Sequence, residues 1–373
     1  MTLHRLTSNA DRLTRRGVAF GLGAAFLFGL STPLAKLLLP ATGALSLAAL
    51  LYLGAGCGLA AFSAARRFAP WLRAFAREPG LSLADIPMMA GVIVAGGVAG
   101  PILMLFGLNH LSAAAAALML NLEVPFTIVL AAVFFGEHLG RREALGAALV
   151  VIGGAILSWP PRTVGLAVRG AIYGDLVGVC ALSGACLCWA LDNNLTQHLS
   201  VRDPVVVART KALCAGFCTL VLARAFGQGT PVSSLYLSAL LVGLVSYGLS
   251  LVLYVYAQRI LGSARQAGLF ATAPFIGALA SVALLGERLE ITVAAGGLVM
   301  ACGLWVMFAR DHFHEHFHDA LAHDHLHVHD LHHQHSHDQA STAEQPHAHW
   351  HYHLPVSHAH PHLPDVHHRH RHN

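Results

Sequence analysis

Residues 125–157 and 274–306 are two versions of one text. The first reads PFTIVLAAVFFGEHLGRREALGAALVVIGGAIL and the second PFIGALASVALLGERLEITVAAGGLVMACGLWV. From Gly136 they align without a gap at an offset of 150: Gly136 with Gly286, Glu137 with Glu287, Leu139 with Leu289, Gly146 with Gly296 and Gly153 with Gly303. A chain duplicated in this way is expected to fold as two related units. Each version is an apolar run ended by Gly-Glu and followed by a second apolar run spaced with glycine. Runs so long and so poor in charge predict membrane helices joined by a short turn.

Composition agrees. Hydrophobic residues are 55% and charged residues 11% of the chain, and the charges gather outside the apolar runs, which excludes an ordinary soluble enzyme or a nucleic-acid binder. No nucleophile–base pair or phosphate loop suggests catalysis. The seven cysteines, Cys186, Cys188, Cys214 and Cys218 among them, lie almost entirely inside apolar runs, where a thiol acts as a small core residue; neither a disulfide framework nor a zinc cluster is expected.

Ten spans are predicted from run length and from the glycine, proline or charge at the breaks: about 17–39, 44–64, 86–107, 112–135, 143–159, 171–192, 204–225, 235–257, 263–285 and 291–309. The first is too long for a signal peptide and reads as a retained helix. Five spans precede the break Ser158-Trp-Pro-Pro-Arg162 and five follow it. The opening spans of the halves also align, Gly23–Lys36 with Gly184–Gln197. The expected organisation is a basic N-terminus (1–16), a first five-helix repeat (17–159), a loop (160–170), a second repeat (171–309) and a tail (310–373). Because five is odd, the repeats must enter the membrane from opposite sides, giving an all-α inverted repeat. With the N-terminus inside, sixteen Lys and Arg fall on the cytoplasmic side, Lys211 counted among them, and five on the other. That bias predicts cytoplasmic termini and a bacterial-type inner membrane.

Phe28-Gly29-x-Ser31-Thr32-Pro33-x-x-Lys36 in the first span, and Gly-Glu-x-Leu before a glycine-rich last helix in both halves, resemble the EamA-type drug/metabolite transporter superfamily over about residues 17–309. The resemblance implies a secondary transporter of a small solute, working by alternating access in a lipid bilayer and requiring no cofactor. It implies no particular cargo. A homodimer is compatible with it.

Glu123 is the sharpest site candidate. It lies mid-span in Asn121-Leu-Glu123-Val-Pro125, where a carboxylate is costly unless paired, protonated or facing water, and the second half has no acid at this point. It is expected to bind substrate or a coupling ion, with Asn121 beside it; the structural alternative is an ion pair with Lys36 or Arg265. Lys36 either lines the cavity or reaches to the interface. Trp189, Asp192, Asn193 and Asn194 end span six where the first half has Ser31, Thr32 and Pro33, and this polar set either lines a cavity or caps a helix end. Pro33, Pro101, Pro125 and Pro274 each remove a backbone donor and can open a carbonyl toward a cavity. Glu137 and Glu287 are read as structural, each suiting the N-terminus of the helix that follows it.

Of the 27 histidines, only His4, His110, His138 and His198 precede residue 311. The tail alternates: His312, His314, His316 and His318; His323, His325, His327 and His329; His347, His349, His351 and His353; then His358, His360 and His362. Imidazole is the preferred side-chain ligand for Zn, Ni, Co and Cu, so the tail is expected to hold such ions at several weak sites and to be disordered without them. A divalent-metal exporter, or a membrane metal sensor or store that transports nothing, is the competing function.

Overall fold

The computed structural model describes residues 3–68, 79–135, 139–159, 169–199, 202–228, 233–308, 313–318, 321–327, 347–353 and 356–361. Its helices follow the apolar runs. The first repeat holds α1 (Leu3–Gly29), α2 (Ser31–Thr42), α3 (Ala44–Phe68), α4 (Ile86–Val92), α5 (Gly100–His110), α6 (Ala113–Met119), α7 (Glu123–Phe135) and α8 (Arg141–Leu157). The second holds α9 (Arg169–Gln197), α10 (Pro204–Ala225), α11 (Ser233–Val242), α12 (Ser250–Leu261), α13 (Ser263–Phe270), α14 (Ala273–Leu285) and α15 (Ile291–Phe308). Among the described residues nine helical segments are long and apolar enough to cross a membrane. The expected tenth, at 143–159, is α8, whose 17 residues span about 26 Å, slightly less than a hydrocarbon core. α1 begins at Leu3 and runs on into the first apolar span, which starts at Thr14.

Several spans are two helices in series. α4 and α5 are joined by a π-helical stretch, Ile93–Ala99, and α11 and α12 by another, Gly243–Leu249. The two stretches stand 150 residues apart, the offset of the sequence repeat. At the first, Gly100 N–H donates to Ala95 O, one residue further back than in an α-helix, and Pro101 then has no N–H to continue the ladder. A 3-10 turn at Leu120–Leu122, ahead of Pro125, and a turn at 271–272, ahead of Pro274, interrupt the fourth span of each half. Gly43 (φ 75°) ends α2 and lets the chain reverse into α3.

Symmetry is plainest where α8 crosses α15. A Cβ on Gly146 would lie 2.7 Å from Gly303 O, and one on Gly303 would lie 2.7 Å from Gly146 O. Gly153 and Gly296 meet with the same reciprocal 2.7 Å. Since 146 corresponds to 296 and 153 to 303, each contact is the image of the other, and the equivalent helices run antiparallel about a two-fold axis. Glycine is required here because backbones touch. Gly153→Ala or Gly303→Ala is expected to cost about 1–3 kcal/mol through overpacking. Gly268→Ala, whose Cβ would meet Phe308 at an ordinary 3.6 Å, should be near neutral. Thermal unfolding of the three variants in detergent checks this.

The repeats are interleaved. α1 packs on α12 and α14, and its counterpart α9 packs on α5 and α7; α3 packs on α10 and on the second π-stretch. The main apolar core draws on both repeats, from Leu39 and Leu47 to Met300 and Leu304. Polar ties also join them. Arg66 pairs with Asp203 at 3.0 Å and Arg202 with Asp85 at 3.0 Å, while Asp203 also caps α10 through Val205 N–H.

The described segments of the tail are four short strands: β1 (Phe313–His318), β2 (Leu321–His327), β3 (His347–His353) and β4 (Val356–Pro361). β1 pairs with β4 and β2 with β3, both antiparallel. The alternation of His with Phe, Leu, Ala, Trp and Tyr is a period of two, which suits a strand. His312 and His329 lie outside the described residues.

Candidate functional site

Glu123 begins α7, just after a turn of 3-10 helix, and is partly exposed inside the bundle. Its Oε1 accepts from Asn193 Nδ2 at 2.6 Å, a contact from the first repeat to the second. One residue earlier on α9, Asp192 is buried and forms an ion pair with Lys211 of α10, and Thr196 Oγ1 donates to its other oxygen at 3.2 Å. Asp192 and Lys211 both lie within electrostatic reach of Glu123. Among the described residues the ammonium is paired with Asp192, and Glu123 is held by the neighbouring amide.

The π-stretch of the first repeat supplies the next layer. Gly96 O accepts from Tyr52 Oη at 2.9 Å and from Trp189 Nε1 at 3.0 Å. This is the opened carbonyl that a proline inside a span allows, here from Pro101. A Cβ at Gly96 would overlap the Asp192 side chain, and one at Gly100 would lie 2.7 Å from Trp189 Nε1, so these glycines let α9 come close. Aromatic rings continue toward the second π-stretch: Tyr52 to Tyr247 at 6.0 Å, Tyr247 to Phe28 at 5.6 Å, Phe28 to Phe270 at 5.1 Å and Phe270 to Tyr254 at 5.0 Å. Ser31 is buried beside Tyr247. Phe28 and Trp189, which correspond in the repeat, thus serve corresponding π-stretches.

Of the candidates read from sequence, Glu123, Asn193, Asp192, Trp189 and Ser31 come together here. Asn194 is buried behind them, donating to Thr127 O at 3.1 Å and Ala190 O at 2.8 Å. Asn121 is buried on the other side of the helix, donating to Leu118 O at 3.1 Å and facing Met300. Arg265 is exposed on α13. Neither it nor Lys36 pairs with Glu123. Lys36 instead donates to Leu108 O and, at 2.7 Å, to Leu111 O, at the end of α5. Glu287 accepts from Ala113 N at 2.8 Å and Ala114 N at 2.9 Å, so it caps α6 of the opposite repeat and not the helix that follows it. Its counterpart Glu137 lies outside the described residues. Lys36 and Glu287 together satisfy the carbonyls and N–H groups on either side of the turn between α5 and α6.

Sequence reasoning missed Tyr52, Tyr247, Tyr254, Gly96 and Lys211. Lys211 was counted as a cytoplasmic charge, yet it sits seven residues into α10 and faces Asp192. A lone basic residue within an apolar helix, set against an acid at the same depth on a neighbouring one, was the available signal. All seven cysteines are free. Among the described residues of the membrane helices, no group of three His, Cys, Asp or Glu is placed to hold a metal ion.

The EamA-like transporter family matches residues 15–159 and 176–309, one segment per repeat. An uncharacterized transporter of Methanothermobacter thermautotrophicus is 28% identical over 291 residues, covering 76% of this chain and 84% of that protein. A probable terminal-alkyne amino-acid exporter of Streptantibioticus cattleyicolor is 24% identical over 229 residues, covering 61% of this chain and 74% of that one. A solved crystal structure of a protein, 19% identical, shares the fold with a TM-score of 0.56 over 79% of this chain and 96% of its own. With both repeats matched, this chain belongs to the EamA-like transporter family and is a multi-pass membrane protein.

Proposed function

We propose that the protein is a ten-span secondary transporter that exports a small amphipathic solute carrying an amino group, such as a neutral amino acid. The observation that carries this reading is the balance of charge at the interface of the repeats: among the described residues Asp192 is paired with Lys211 while Glu123 has the Asn193 amide and no ion-pair partner, beside the rings of Tyr52, Trp189 and Tyr247. A site one positive charge short accepts an ammonium or a proton, and aromatic faces suit both an ammonium and an apolar side chain. Export is the direction of the Streptantibioticus relative, whose named cargo is an amino acid. The excess of Lys and Arg on one side supports cytoplasmic termini in an inner membrane.

Alternating access fits the same place. Glu123 contributes from one repeat and Asn193, Asp192 and Lys211 from the other, so separating the helices on either face would open the site to that side. Because α1 and α9 each pack mainly on the opposite repeat, the bodies that move are built from both halves of the sequence.

Counterflow in proteoliposomes tests the reading. Vesicles containing the purified chain and loaded with unlabelled leucine, phenylalanine or a short alkylamine should accumulate the labelled compound well above protein-free vesicles for at least one of them. Background accumulation for all three, from protein that is folded and inserted, would overturn it and favour a membrane anchor that transports nothing.

A further inference from the structure

The histidines of β2 and β3 are brought together by backbone register. His323 is paired with His351, His325 with His349 and His327 with His347. Alternate residues of a strand belong to one face, so all six occupy the same face of the pair, with Leu321 opposite His353 completing it. The other face carries Ala322, Asp324 and Leu326 against Tyr352, Trp350 and Ala348. β1 and β4 repeat the pattern with His314 opposite His360 and His316 opposite His358. An odd slip in register would set each histidine against a residue of the other kind. The pairing is therefore of the one parity that sets histidine opposite histidine.

We infer that the histidine face of β2 and β3 is a binding site for borderline divalent transition-metal ions, the class of Zn, Ni, Co and Cu. Residues directly opposite on antiparallel strands have Cβ atoms about 5 Å apart, within reach of one ion for two imidazoles. Two neighbouring pairs place four histidines on that face, and the central pair, His325 and His349, belongs to both such sets. Neutral imidazole suits these metals and not Ca or Mg, which take oxygen ligands. The site is separate from the membrane helices and stands whatever the transported solute is.

The test keeps the number of histidines constant. In the full chain in detergent, the quadruple variant D324H/H325D/H349W/W350H moves the central pair to the other face without changing composition. Affinity for Zn and Ni is read by competition with a chromophoric chelator, and Co by its visible absorption. The wild type should bind at least one of these ions, Ca and Mg should not compete, and the variant should bind its tightest ion roughly tenfold or more weakly, about 1.4 kcal/mol. A second variant, H325T/H349T, keeps strand-forming residues in place and should lose affinity likewise. Binding in the swapped variant within twofold of wild type would show that affinity follows histidine number and overturn the site, as would no binding of any of the three metals by the wild type.

Discussion

Glu123→Gln is expected to bring solute exchange down to the level of empty vesicles while leaving the protein folded. The amide keeps the shape of the side chain and an oxygen that can still accept from Asn193 Nδ2. What it removes is the second negative charge. With Asp192 already committed to Lys211, the variant site is neutral, and nothing in it draws a cation. A charge-assisted hydrogen bond is worth about 1.5–3 kcal/mol, so its loss in the bound and translocating states corresponds to a fall of roughly 100-fold in exchange. Stability should hold or rise slightly, because an uncompensated carboxylate inside a membrane bundle is a cost. Initial counterflow rates, normalised to inserted protein, check it. A rate within twofold of wild type would mean that Glu123 does not handle solute or coupling ion.

Lys211→Met has the largest expected effect on stability. The Lys211 and Asp192 side chains are only 20% and 7% exposed, and removal of the cation leaves Asp192 buried without its partner and next to Glu123. Breaking such a pair from one side costs about 3–5 kcal/mol, most of it the penalty on the charge left behind. The double variant Asp192→Asn with Lys211→Met should recover most of that loss, since a pair of neutral groups of similar size is tolerated. Thermal unfolding of the two single variants and the double closes the cycle. If Lys211→Met melts with the wild type, or the double melts no higher than the single, the pair is not the buried contact described here.

The two-repeat plan was legible because it rests on signals that survive in one dimension. Gly146 and Gly153 recur 150 residues on as Gly296 and Gly303, and they recur because glycine is the residue that lets α8 and α15 touch. Glu123 was legible for a related reason, as an acid in hydrocarbon is conspicuous on its own. Its partner was not. The sequence offered Lys36 and Arg265 as cations for it, whereas Lys36 is held by the carbonyls of Leu108 and Leu111, and Asn193 reaches Glu123 from a helix of the other repeat. Which helices meet is decided by packing of whole repeats, and no local spacing records it. The π-stretches were hidden too. Their residues, IVAGGVA and GLVSYGL, read as plain apolar span, and only the missing N–H of Pro101 hinted that the carbonyl of Gly96 would be available to Tyr52 and Trp189. The tail was read for its ligands and not for its period; the alternation that suggested metal is also what makes a strand.

The exchanged position of α1 has a consequence for how the chain is born. α1 finds its packing partners in α12 and α14, which are synthesised more than 200 residues later, and α7 waits for α9. When the first repeat has left the ribosome it holds Ser31 without Tyr247 and Glu123 without Asn193. Five helices must therefore stay inserted but unassembled, with a carboxylate facing lipid or a local water defect, until the second repeat threads in among them. Assembly is then a single late event, and the interval before it is when quality control has most to recognise.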